Sequence, residues 1–112
     1  MAINGQVGTG LFEARQWEKL APTALYKAKN LARLCRLSSR QLQREFRRFL
    51  ERSPQDWLNE QRIIAAEKML LAGIPVKVVA LELNFKQASH FCRHFKSWRT
   101  MTPSEFVLKH RA

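Results

Sequence analysis

The sequence predicts an all-α protein, on three observations. Apolar residues recur at spacings of three and four along most of the chain, and no stretch alternates cleanly over the length of a strand. Serine, threonine, proline and glycine stand where such helices would begin and end. The chain has 112 residues, of which 46% are hydrophobic, so it can build one small domain or two very small ones.

The first predicted helices follow an irregular start. Residues 1–10 contain three glycines and no periodicity, so we expect a disordered or linker segment, either an expression remnant or the trace of a linker to a further domain. A first helix is predicted over Phe12–Leu20. A second helix opens after Pro22 and Thr23, and its apolar stripe comprises Leu31, Ala32 and Cys35.

Two capping patterns predict the third and fourth helices. Ser38 and Gln41 form the S-x-x-Q pattern of a capping box, so the third helix starts there. Ser53 and Pro54 are typical of a helix start, and this fourth helix runs to Leu71 or Ala72, where Gly73 ends it. At about 1.5 Å per residue the fourth helix spans roughly 28 Å.

Three further helices complete the prediction. The fifth opens at Pro75 and runs to Leu83, and the sixth runs from about Gln87 to Trp98. The last begins at "TPSE", in which Thr102 and Glu105 form a second capping box.

An internal repeat relates the two halves of the chain. A shift of 49 residues aligns Leu42 with Phe91, Arg44 with Arg93, Phe46 with Phe95, Phe49 with Trp98, and Ser53–Pro54 with Thr102–Pro103. Upstream, a shift of 48 aligns Ala32 with Ala80 and Leu37 with Phe85, so the second copy has one extra residue in its turn. Each copy is a short helix with a small alanine, a tight turn and a second helix, which is the layout of a helix-turn-helix.

The second helix of each copy has an apolar face and a basic face. Winding the helix at about 100° per residue clusters Leu42, Phe46 and Phe49 opposite Arg40, Arg44 and Arg47. In the second copy Phe91, Phe95 and Trp98 lie opposite Ser89, Arg93 and Lys96. Arginine can pair with guanine and glutamine with adenine, so these are side chains that a major-groove helix uses.

The charge balance points to a polyanionic partner. Twenty Lys and Arg against nine Asp and Glu give a net charge of +11, which favours nucleic acid. A basic RNA-binding or membrane-surface-binding helical domain is the alternative, although a repeated turn-helix unit has no purpose at a membrane. No run approaches the roughly 18 apolar residues of a spanning helix. Cys35 and Cys92 are interpreted as reduced core thiols of a cytoplasmic protein.

A metal site or an enzyme is the remaining alternative. His90 and His94 are four residues apart on one helix, with Cys92 between them and His110 near the end. No carboxylate is near the histidine pair, and Cys92 falls on the other side of the Phe91 and Phe95 stripe. A closed set of ligands is therefore missing, and the sequence predicts no metal, no cofactor and no catalytic residues.

Three motifs resemble the DNA-binding domain of the AraC/XylS family of bacterial transcription regulators, over about residues 28–108. They are L-S-x-R-x-L-x-R-x-F at Leu37–Phe46, S-P-x-x-W/Y-L at Ser53–Leu58, and S-H-F-x-R-x-F-K from Ser89 with the following T-P-x-x-F/Y. The resemblance implies a seven-helix bundle of two homeodomain-like helix-turn-helix subdomains joined by a long linker helix. We place the first subdomain at 11–53, the linker helix at 54–73 and the second subdomain at 74–112.

The resemblance also implies a function, which is sequence-specific binding of double-stranded promoter or operator DNA by a transcription activator. Recognition helices at about 39–50 and 87–98 would read two adjacent major-groove segments. By motif position the base-reading candidates are Arg40, Gln43, Arg44, Gln87, Ser89, His90 and Arg93. The phosphate-binding candidates are Ser39, Gln41, Arg47, Arg48 and Lys96. Implied partners are RNA polymerase and an N-terminal effector-binding or dimerisation domain beyond this chain.

The sequence departs from the family pattern in its turns. The glycine that is usual before S-P and T-P is replaced by Glu51 and Thr100, so we expect these turns to differ in shape. Asn84 replaces another usual glycine and tolerates a left-handed backbone better. Pro75 stands where a capping serine is common, and no strong N-cap precedes Gln87. We therefore expect the second half to bind DNA more loosely.

Overall fold

The computed structural model describes residues 16–111, and these are helical with short turns. In chain order the helices are α1 (described over residues 16–20), α2 (Ala28–Leu34), α3 (Ser39–Leu50), α4 (Pro54–Leu71), α5 (Val76–Glu82), α6 (Ala88–Arg99) and α7 (Pro103–Arg111). The predicted all-α class with seven helices is confirmed. The predictions for residues 1–10 and for a helix start at Phe12 lie outside the described residues.

The start of α2 corrects the sequence prediction. This helix begins at Ala28, not directly after Pro22 and Thr23, because Leu25 and Tyr26 have φ angles of 56° and 57°. Two consecutive left-handed residues cannot continue a right-handed helix. Gln55 of α4 then caps α2, since its Oε1 accepts from the Ala28 amide at 2.9 Å and its Nε2 donates to the Tyr26 carbonyl at 2.9 Å.

The chain divides into two compact units, and the boundary falls within α4, between Gln61 and Arg62. In the first unit an aromatic cluster covers the inner face of α3. Trp17 stacks on Phe46 with 3.9 Å between ring centroids, and Trp57 meets the same ring edge-on at 5.4 Å. All three rings are buried, and aromatic burial on this scale dominates the energy of a small core.

The second unit has its own aromatic core. Phe91 and Phe95 of α6 are fully buried, and Phe95 packs edge-on against Phe106 of α7 at 5.5 Å. An ion pair in the same unit joins Arg99 Nε of α6 to Glu67 Oε2 of α4 at 2.6 Å. These contacts determine which face of α6 is turned inward.

The buried residues of α4 differ from the predicted apolar row. Apolar residues at a spacing of seven, Trp57, Ile64 and Leu71, predict one core row along this helix, but Ile64 is half-buried and Leu71 is 53% exposed. Because α4 contributes to both units, it buries one set of side chains in each, and a single row cannot describe both. The buried apolar residues of α4 are Trp57, Leu58, Ile63, Ala66 and Leu70.

The two turns between the helices of each pair have the same backbone. Arg36 and Asn84 are both left-handed, with φ angles of 59° and 66°. In both turns the next amide reaches back to the buried alanine, from Leu37 to Ala32 and from Phe85 to Ala80, at 2.9 Å. The repeat found in the sequence is therefore also a repeat of local structure. Its extra residue is Lys86, between the second turn and α6.

The turns after the second helices keep the left-handed conformation that glycine adopts freely. Glu51 has φ 56° and Thr100 has φ 62°, and both end their helices. The expectation that these turns would differ in shape is wrong. The chain instead accepts backbone strain of the order of 1 kcal/mol at each residue. Within residues 16–111 no helix is both long enough and apolar enough to cross a membrane.

Candidate nucleic-acid interface

Local contacts determine where α3 begins. The Ser38 hydroxyl accepts from the Gln41 amide at 3.1 Å, and Gln41 Oε1 accepts from the Ser38 amide at 2.8 Å. This is the predicted capping box, and it satisfies amides that a helix start leaves unpaired. Leu42 and Phe46 are buried on the inner face. The opposite face of α3 must then face outward.

That outward face contains every predicted site residue of α3. All seven are exposed, namely Ser39, Arg40, Gln41, Gln43, Arg44, Arg47 and Arg48. Arg48 lies over its neighbour's ring, with 5.3 Å from its guanidinium carbon to the centroid of Phe49. The ion pairs seen within residues 16–111 involve none of Arg40, Arg44 or Arg47. Their guanidinium groups are accessible to bases or phosphates.

The arginine just after α3 behaves differently. Arg52 pairs with Asp56 at 2.7 Å and with Glu60 at 2.6 Å. Its partial burial opposes the charge, but the hydrogen bonds that Arg52 donates to Glu60 and Asp56 outweigh that cost and raise the pKa of Arg52 above its ordinary value. Arg52 is thus a structural cation at the start of α4, in contrast to the arginines on the outer face of α3.

The start of α6 lacks a comparable cap. Gln87 has the extended backbone of an N-cap residue but forms no side-chain capping bond. Its Oε1 instead accepts from the Ser89 hydroxyl at 3.2 Å. The expected absence of a strong cap is confirmed, so packing and the preceding turn must orient α6.

The outward face of α6 presents the remaining predicted site residues. These are Gln87, Ser89, His90, Arg93 and Lys96, and all are exposed. The ion pairs of the described residues leave out Arg93 and Lys96, whereas Arg99 near the end of the helix is paired with Glu67. The outer face of α6 therefore has accessible cations opposite buried phenylalanines, as α3 does in the first unit.

His94 is turned away from this outer face. Its ring packs against Phe85 with 5.6 Å between centroids, and its Nε2 is buried without a hydrogen-bond partner. Burial first, and then the charges of Arg62 and His90, lower the pKa of His94. In residues 16–111 no three His, Cys, Asp or Glu side chains come close enough to hold a metal ion. Cys35 and Cys92 are half-buried rather than fully in the core.

Sequence reasoning missed Arg62. This residue of α4 donates from Nε to the Leu83 carbonyl at 2.9 Å and from Nη2 to the Asn84 carbonyl at 2.8 Å. Its guanidinium also lies over the Phe85 ring, at 3.6 Å from the centroid. The one available signal was that an arginine precedes the small and apolar residues of "RIIAAEKML". This arginine could not be told apart from a charged residue on the solvent-facing side of any helix.

Comparisons with known proteins agree with this geometry. The protein-family model described as a helix-turn-helix domain matches residues 31–109. None of the curated proteins matches the sequence significantly.

Solved structures with the same fold come from several bacteria. The C-terminal domain of AraT, a response regulator from Geobacillus stearothermophilus, has a TM-score of 0.77 at 20% identity, covering 94% of this chain and 88% of that one. A regulator with an AraC-type DNA-binding domain from Chromobacterium violaceum has a TM-score of 0.70 at 20% identity, with 88% and 95% covered. A probable AraC family regulator from Rhodopseudomonas palustris has a TM-score of 0.64 at 26% identity, with 85% and 94% covered.

Proposed function

The chain belongs to the AraC-type family of helix-turn-helix DNA-binding transcription regulators, and from this premise we propose that it reads double-stranded DNA sequence-specifically, with α3 and α6 as recognition helices. Members of this family bind double-stranded DNA and are not enzymes. The proposal concerns which helices and which side chains of this chain do the reading.

One observation carries the proposal. Arg44 and Arg93 occupy the same position of the repeat, and each is exposed on a helix whose opposite face is buried in its own unit. An ordinary solvated helix has no reason to repeat this arrangement in two copies. A pair of major-groove helices does, because arginine reads the O6 and N7 atoms of guanine with two hydrogen bonds.

The other candidates divide by chemistry. We assign base reading to Arg40, Gln43 and Arg44 of α3 and to Gln87, Ser89, His90 and Arg93 at α6. Phosphate binding goes to Ser39, Gln41, Arg47, Arg48 and Lys96, because such contacts position a protein on DNA without reading sequence. For Gln41 the capping box already uses the amide oxygen, so its amide nitrogen would be the group that meets a phosphate.

A repeated protein unit suits a repeated groove. The major groove returns to one face of B-DNA about every 34 Å, so a monomer with two units can read two adjacent boxes. The family resemblance extends the proposal to promoter DNA in the bacterial cytoplasm, to RNA polymerase as the partner of an activator, and to an N-terminal effector-binding or dimerisation domain.

The test begins with selection of bound duplexes from a random pool, which yields the two boxes and their spacing. Arg44→Ala should then lower specific binding by about 1–3 kcal/mol and relax the preference at one base position. Lys109→Ala is the matched control, because it removes an exposed cation from α7, which is neither of the proposed recognition helices.

Two outcomes would change the assignment. Equal loss on selected and random duplexes would make Arg44 a phosphate contact. If double-stranded RNA or vesicles of anionic lipid are bound as tightly as the selected DNA, the alternative of a general polyanion-binding domain is favoured. The same measurement with Arg93→Ala tests whether the second unit binds more loosely, and a loss as large as that of Arg44→Ala would refute this asymmetry.

A further inference from the structure

The turn of the second helix-turn-helix is stabilised by a side chain that lies outside the motif. Arg62 of α4 is half-buried, and its guanidinium donates to two successive carbonyls at the end of α5, those of Leu83 and Asn84. These carbonyls stand where a helix leaves its last acceptors unpaired. A charge-assisted pair of hydrogen bonds at this place is stronger than neutral ones.

The same guanidinium contacts the residue that links the turn to α6. It lies over the Phe85 ring at 3.6 Å, and Phe85 in turn packs against His90 at 5.3 Å and Phe91 at 5.2 Å between centroids. A cation over an aromatic face is attracted by the ring. A chain of direct contacts therefore runs from α4 through Phe85 to the first turn of α6.

The two recognition helices differ in how they begin. In the first unit, α3 starts with a capping box formed by its own residues, Ser38 and Gln41. In the second unit, α6 starts at Gln87 with no side-chain cap. The backbone of the preceding turn is otherwise the same in both copies. The direction of α6 must therefore depend more heavily on what contacts its turn.

We propose that Arg62 is a positioning residue for the second recognition helix, and that base reading by His90 and Arg93 depends on its contacts with Leu83, Asn84 and Phe85. The inference rests on the proposed function and extends it, because it makes sequence reading by α6 depend on a residue outside both recognition helices. Arginine is required, since lysine has no planar group that can bond two carbonyls and stack on a ring together.

A measurement without DNA tests the positioning. Native-state hydrogen exchange of the Phe85 amide reports opening of the second turn, and exchange of the equivalent Leu37 amide is the internal reference in the same molecule. In Arg62→Met the Phe85 amide should exchange roughly tenfold faster while Leu37 is unchanged. Arg62→Lys, which keeps the charge, should show most of this increase in exchange rate. It replaces the methionine variant if that variant folds poorly.

The control is Arg99→Met, which removes another half-buried arginine that α6 directs to α4 and that contacts Glu67. In Arg99→Met the ratio of the exchange rates of the Phe85 and Leu37 amides should equal the ratio in the unmodified chain. The inference is overturned if Phe85 exchange is unaltered in Arg62→Met, or if Arg99→Met accelerates it equally.

The consequence for DNA is measured on duplexes with a substitution in either box. Discrimination is the ratio of the affinities for the selected and the substituted duplex. In Arg62→Met this ratio should fall roughly tenfold at the box read by α6 and stay unchanged at the box read by α3. Equal loss at both boxes, or none, contradicts the inference. If the unmodified chain binds all duplexes equally, that result contradicts the proposed function instead. The exchange experiment still decides whether Arg62 positions the turn.

Discussion

At the scale of single residues, the left-handed turns show what the chain tolerates. Arg36, Glu51, Asn84 and Thr100 all have φ angles between 56° and 66° where a helix ends. Asparagine accepts this conformation more easily than the others because its short polar side chain can hydrogen-bond locally. The strain is therefore unevenly distributed among these four residues.

Glycine should relieve this strain where the present residue suits it least. We expect Glu51→Gly to raise the free energy of unfolding by roughly 0.5–1 kcal/mol, because the relief exceeds the entropy that glycine loses on folding. Asn84→Gly is the control and should gain less. Urea denaturation measures both, and an equal or larger gain for Asn84→Gly would show that the gain does not come from the left-handed backbone.

His94 should make stability depend on pH. Burial first, and then the charges of Arg62 and His90, lower its pKa below the ordinary histidine value of 6.5, so the unfolded chain binds the proton more readily than the folded chain. Stability from this residue is complete above pH 6.5 and falls as the pH drops from 6.5 towards the lower folded pKa.

Thermal unfolding between pH 7.5 and pH 5 measures this dependence, in a range that extends about one unit above and about one and a half units below an ordinary histidine pKa. His94→Gln should lose part of the decline in melting temperature on acidification. His110→Gln, which removes an exposed histidine, should keep it. A His94→Gln protein with the same decline as the unmodified chain would contradict the assignment.

Side-chain positions on one helix followed from the sequence, but contacts between distant segments did not. The exposed basic faces and the buried Leu42, Phe46, Phe91 and Phe95 were predicted, because helical spacing alone determines them. Gln55 contacts residues 27 and 29 positions away, and Arg62 contacts residues 21 and 22 positions away. No local periodicity specifies such pairs.

At the scale of helices, capping chemistry predicted the starts of three elements. The hydroxyls of Ser38, Ser53 and Thr102 each accept from a backbone amide three residues later. The start of α2 was missed because Leu25 and Tyr26 give no sequence sign of a left-handed backbone. The start of α2 has no side-chain cap of its own, and Gln55 of α4 accepts from its first amide instead.

The capping box of α3 should be a measurable part of the stability of the first unit. We expect Ser38→Ala to lower the free energy of unfolding by about 1 kcal/mol, because the Gln41 amide loses the hydroxyl that accepts from it. Ser39→Ala is the neighbouring control, since Ser39 lies exposed inside the helix and should change stability little. Similar losses for the two variants in urea denaturation would argue against a stabilising cap.

At the scale of the whole molecule, the ion pairs sort the arginines by role. Arg52 pairs with Asp56 and Glu60, and Arg99 pairs with Glu67, so these two arginines have a structural role. The arginines on the outer faces of α3 and α6 are not among these pairs. Part of the net charge of +11 is thus carried by cations on the surfaces proposed to face DNA.

This distribution predicts how salt should affect binding. Each phosphate neutralised by the protein contributes about 0.9 to the slope of log affinity against log salt concentration. Arg47→Ala and Lys96→Ala should therefore each reduce the slope by about 1, similarly on selected and random duplexes. Lys109→Ala should leave the slope unchanged, and an equal reduction there would mean that the slope reports overall charge only.

The difference between the two helix starts also determines how the molecule can be divided. The first recognition helix carries its cap with it, so it can be exchanged for another as a self-contained cassette. The second recognition helix has no such cap, and the arginine that bonds its turn, Arg62, comes from α4. Arg62 is the first residue of the second unit, since the boundary lies between Gln61 and Arg62. A hybrid regulator that borrows the second motif from Pro75 onward would leave that arginine behind, and the graft should therefore begin at Arg62.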